Sequence, residues 1–150
     1  LLVEEHGLGV FLARERCEHA VSLDSYTGQS VRLHTTALGK TMLAYLPHNR
    51  VERIVDRHGL PAKTEHTITD REELFETLAE IRQREWAYDR EERITGLNCV
   101  AVPITSNDDI SGALSVSGPV SRMDEERIES KILPELRRAA NIIELNRTHS

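Results

Sequence analysis

Between residues 70 and 85 the apolar positions Leu74, Leu78 and Ile81 recur at steps of four and three, with charged residues filling most of the intervals. That is the period of a helix with one buried stripe. Thr69-Asp70-Arg71-Glu72 directly ahead reads as a capping box, in which a hydroxyl and a glutamate satisfy the first free backbone N–H groups. Two further helices are predicted upstream. One runs from Ala37 to Leu46 and is stopped by Pro47, and the next carries Val51, Ile54 and Val55 on one side and ends at Gly59. Residues 60–68 read as a loop or short strand. Near the end of the chain Asp124 is placed to cap a helix bearing Ile128, Ile132, Leu136 and Ile143. Pro134 lies inside that helix, and the hydrogen bond it removes predicts a kink or break near Leu133.

Elsewhere the pattern shortens to β-rich runs. VFLARE and HAVSLDSY, separated by a polar turn, suggest a hairpin, and SVRLH suggests a third strand. WAYDREE opens as a strand. CVAVPI and ISGALSVS flank the turn Ser106-Asn107-Asp108-Asp109 and read as neighbouring antiparallel strands of a core sheet. The opening LLVEEHGLGV reads as the tail of a helix stopped by Gly7 and Gly9. These elements add up to an α+β domain over residues 1–150, one sheet with helices packed on it, without internal repeats.

Composition narrows the function. The 150 residues suffice for a single core without disulfide or metal support. Residues Cys17 and Cys99 lie far apart, so a reducing cytoplasm is the expected location, and no apolar run approaches a membrane span. The net charge of -6 argues against a large phosphate-binding face on this chain. The cations are mostly arginine, lysine occurring only at 40, 63 and 131.

HTTALGKTML, residues 34–43, ends its loop in Gly39-Lys40-Thr41, the close of a phosphate-loop signature. The first glycine of that signature would fall at His34, and a run of residues bearing β-carbons cannot wrap its backbone round phosphates. Nucleoside triphosphate binding is therefore not expected. Lys40, one turn into the helix, reads as solvent-reaching, and Glu91-Glu92 as a solvated acidic run. The seven histidines show no metal spacing, and neither a metal nor a cofactor is expected. Alternation puts Ser115 and Ser117 on one strand face, where two hydroxyls could reach one carboxylate or simply meet water. Cys99 is by type a small core residue. An enzymatic alternative would be a hydrolase with Cys99 as nucleophile, His34 as base and Asp89 as orienter, although LNCVAV lacks the sharp turn that exposes a nucleophile.

The segments HTTALGKTMLAYLP, TEHTITDREELFETLAEIRQREWAYDREERITGLNCVAVPI and GALSVSGPVSR resemble, over nearly the whole chain, the effector-binding domain of IclR-type (isocitrate lyase regulator) transcription regulators. The resemblance implies a GAF-like or profilin-like domain with a mixed, largely antiparallel sheet flanked by helices. It implies a sensor rather than an enzyme, taking a small polar or anionic metabolite of the organic-acid class. The pocket positions it carries over are Ala37, Leu38, Asp89, Leu97, Cys99, Ser115 and Ser117. It further implies a winged helix-turn-helix outside this chain that makes the DNA contact, residues 1–6 as the tail of a linker helix, and a homodimer or tetramer.

Overall fold

The computed structural model describes residues 1–18 and 25–148. Strands β1 (Leu2–Glu5) and β2 (Leu8–Phe11) open the chain as a tight antiparallel hairpin. This corrects the expected helix tail. Glu5 faces Leu8 across the turn, leaving His6 and Gly7 as a two-residue loop with φ of 53° and 82°. Two successive positive φ angles are what a hairpin turn matched to strand twist demands, and glycine supplies the second without steric cost. The glycine that read as a helix stop is thus a turn residue. The second run of the expected VFLARE hairpin falls mostly at 19–24, outside the described residues.

Strand β3 (Ser30–Arg32) pairs with β2, and β4 (Ala87–Arg90), β5 (Leu97–Ser106) and β6 (Asp109–Pro119) complete the sheet. The six strands lie in the order β3-β2-β1-β6-β5-β4, and every described pair is antiparallel. The turn between β5 and β6 holds Asn107 and Asp108 at φ 52° and 67°, as its sequence predicts. Strand β1 meets β6 at Leu2 and Ala113, so the run of β6 toward Pro119 extends past the start of β1. Among the described residues no strand pairs with that edge of its second half.

Helices α1 (Ala37–Tyr45), α2 (His48–His58) and α3 (Arg71–Arg84) fall where the periodicity puts them. The cap of α3 sits one residue later than read: Asp70, not Thr69, accepts the N–H of Glu73 at 2.9 Å. After α4 (Glu125–Arg127), capped by Asp124, comes a π-helical turn (Ile128–Ile132) and then α5 (Leu133–Thr148). The wider turn ends where Pro134 lacks its N–H, and Leu133 N–H reaches back to the Ile128 carbonyl. The irregularity is therefore a widened turn, with backbone angles still helical at Leu133.

Alternation along β5 divides the core. Cys99 and Ala101 join Leu38, Leu43, Leu74 and Ile81 under α1 and α3, whereas Val100, Val102 and Ile104 meet Ile128, Leu133 and Leu136 on the opposite face. Helix α1 consequently starts directly over the β5 and β6 residues that point its way.

Candidate ligand-binding site

Thr36 precedes α1 in extended conformation, and its hydroxyl accepts the Gly39 N–H at 2.8 Å. The first-turn N–H groups of Ala37 and Leu38 have no acceptor within the helix. Beneath them, register brings polar side chains into line. Asp89 pairs with Cys99 and Cys99 with Ser117, making one row across β4, β5 and β6, and Ser115 stands opposite Ala101 in the next. A cavity of about 790 Å³, open to solvent, lies against this row. Ala37, Leu38, Asp89, Leu97, Cys99, Ser115 and Ser117 all line it. Ser115 is half-buried and Ser117 exposed, and the cavity continues round this edge of β6 to Leu114 and Val116.

Reading the sequence missed Arg93, Arg14 and Phe11, which also line the cavity. Within DREERITG nothing distinguishes Arg93 from a surface arginine. Only folding carries its guanidinium to 5.7 Å from the centre of the Phe11 ring.

The charges around the cavity are unusual. Asp89 is buried, and burial first, then the nearby Glu92 carboxylate, push its carboxyl up from the ordinary 3.8 to about 6. The Glu92 N–H donated to its Oδ1 at 2.8 Å opposes that rise. Burial and the field of Asp89 push the Cys99 thiol up to about 12. A thiol so held is protonated and a poor nucleophile. His34 does not serve as its base. Its Nε2 lies 2.9 Å from the Pro61 carbonyl, it lines a separate small pocket beside Gly7 and Leu60, and burial lowers its pKa. The hydrolase alternative therefore has no assembled triad.

Two surface readings are also corrected. Lys40 is buried, its Nζ donating to the Tyr88 carbonyl at 2.5 Å and to Glu92 Oε1 at 2.6 Å. Glu92 is buried with it. The cause is tertiary: the β4–β5 connection folds over α1 and closes both side chains off from water.

A family model for the C-terminal part of the bacterial transcriptional regulator IclR matches residues 3–145. The chain belongs to the IclR family. It corresponds to that family's C-terminal effector-binding domain. It is 36% identical over 133 residues, 88% of its length, to the probable transcriptional regulator SauR of Cupriavidus necator, of which it covers 52%. The crystal structure of Thermotoga maritima IclR superposes with a TM-score of 0.89 at 32% identity, over 97% of this chain and 59% of that one. An IclR homolog of Microbacterium hydrocarbonoxydans, solved in complex with 4-hydroxybenzoate, superposes at 0.88 with 28% identity, over 99% of this chain and 60% of that one. The chain spans about half the length of the curated relatives it matches. Those relatives are named as transcriptional regulators and repressors.

In this IclR-family domain the raised Asp89 pKa has a measurable sign. The folded chain keeps a proton that the unfolded chain releases as pH climbs from about 4 to about 6, so Asp89 lowers stability over that window and its full penalty stands above it. Asp89→Asn removes the penalty while keeping an acceptor for the Glu92 N–H. We expect the variant to be more stable than the parent at pH 7.5 by about 1–3 kcal/mol, the advantage vanishing near pH 4. Urea denaturation at the two pH values measures this, and equal stabilities at pH 7.5 would refute it.

Proposed function

We propose that the domain binds a small organic acid in this cavity and passes the binding event to a DNA-binding segment of the longer regulator. The observation that carries the reading is convergence. The first-turn amides of Ala37 and Leu38, at the positive end of α1, and the hydroxyls of Ser115 and Ser117 come from different elements to one cavity, in a chain of net charge -6. Asp89, Leu97 and Cys99 complete that face. Asp89, its carboxyl pushed up to about 6, accepts from a ligand hydroxyl when ionised and can donate its proton to a bound carboxylate below that pH. The 4-hydroxybenzoate bound by the Microbacterium relative is a carboxylate with a hydroxyl, which supports the same class here.

Phosphate contact with DNA is assigned to the segment outside this chain, because an acidic domain lacks the cations that nonspecific DNA affinity requires. Two-fold assembly suits a regulator that reads paired half-sites, so a homodimer or tetramer in the cytoplasm is part of the proposal. No helix among the described residues is long and apolar enough to cross a membrane.

A thermal-shift screen against organic acids identifies the effector, since a ligand at 100 times its Kd adds about 2.7 kcal/mol. Calorimetry then tests the site. Ser115→Ala and Ser117→Ala should each weaken binding by about 1.5–3 kcal/mol, or about ten- to a hundredfold, the range for hydrogen bonds to charged groups. Asp89→Asn should weaken hydroxylated acids and spare simple ones. Parental affinity in all three variants would place the effector elsewhere.

A further inference from the structure

We infer that the acid taken by this cavity carries two anionic groups, one met by Ser115, Ser117 and the α1 amides, the other by Arg93 beside Arg14. The inference rests on the effector reading above and adds to it the charge of the ligand. Arg93 and Arg14 both line the cavity, close enough for the charge of one to act on the other.

Arg93 is the informative member. It sits on the β4–β5 connection, yet its guanidinium lies over Phe11 at the end of β2, so its side chain reaches across the cavity between two sides of the sheet. It is half-buried and makes no hydrogen bond or ion pair among the described residues. Burial works against its charge, and the like charge of Arg14 works the same way, while Asp89 supports it. Asp89, ionised above about 6, lends it a favourable field but makes no hydrogen bond to it among the described residues, and its Oδ1 already accepts the Glu92 N–H. A half-buried guanidinium with five unused donors and a second cation beside it is a receptor for a carboxylate, sulfonate or phosphate oxygen pair. The serine and amide cluster already accounts for one anionic group. A second group on the same molecule would relieve the repulsion between Arg14 and Arg93.

The test is calorimetry at pH 7.5 with glutarate, adipate and isophthalate, each beside its monomethyl ester, on the parent domain, Arg93→Gln and Arg93→Lys. At least one diacid should bind about tenfold or more tighter than its half-ester, as a charge-assisted pair requires. Arg93→Gln should bring the two within about twofold, and Arg93→Lys should keep part of the gap, having the charge without the fork. A half-ester equal to its diacid in every pair, or a diacid preference that survives Arg93→Gln, overturns the second anionic group and leaves the effector reading standing. Absence of binding by all six compounds to the folded parent overturns both.

Discussion

Replacing Gly39 by alanine is expected to destabilise the domain by at least about 3 kcal/mol, through overpacking that a well-filled core cannot absorb. A Cβ built there falls 2.0 Å from the carbonyl oxygen of Leu33 and 2.5 Å from its carbonyl carbon and Cα. The obstructing atoms are backbone, in the 3-10 turn Leu33–Thr35 immediately before α1, and no side-chain rotation clears them. Helix α1 must move or the turn must open. Since Ala37 and Leu38 lie in the same turn as Gly39, the proposed ligand site would move with it. Thermal melts followed by circular dichroism measure the loss, and a variant melting within about 2 °C of the parent would contradict the expected cost. The glycine of Gly39-Lys40-Thr41 therefore serves close backbone approach and has nothing to do with phosphate.

Lys40→Ala is the second large effect. The ammonium is the buried partner of Glu92, whose other carboxylate oxygen accepts the Arg90 N–H at 2.9 Å and whose carbonyl accepts the Thr67 hydroxyl at 2.5 Å. One ion pair thus ties α1 to the β4–β5 connection and to the loop before α3. Truncating the lysine leaves a carboxylate in a dry site, which costs about 3–5 kcal/mol when a buried pair loses one member. The double variant Lys40→Met with Glu92→Gln, which removes both charges, should recover most of that. Urea denaturation of the three proteins decides the matter. A loss below about 1 kcal/mol in Lys40→Ala would mean that Glu92 turns out to water once unpaired. The same connection carries Arg93, so the single variant should also weaken acid binding, whereas a purely peripheral pair would leave affinity unchanged.

Local pattern was sufficient wherever an element is governed by its own residues. The stripe Leu74, Leu78, Ile81 gave α3, Pro47 and Gly59 closed α1 and α2, and the β5–β6 hairpin followed from two apolar runs about a polar turn. The family resemblance picked the seven residues now seen lining one cavity, because segment order and spacing specify which strand positions share a face. Residues 1–9 were misread because a glycine that stops a helix and a glycine that turns a hairpin look alike until the partner strand is known. The capping box slipped by one residue for a similar reason, since Thr69 and Asp70 are both competent caps.

What the tertiary structure alone decided concerns charge. Asp89, Lys40 and Glu92 carry the same letters as surface residues, and their burial comes from a connection that folds back over α1 from about 50 positions away in the chain. The loss of water, and not the residue type, moves Asp89 to about 6 and Cys99 to about 12. In the same way Arg93 became a cavity residue only when strand order brought β4 and β2 to opposite sides of one space. Periodicity records which way a side chain points relative to its neighbours in sequence. Solvation depends on what arrives from elsewhere, and no local pattern encodes that.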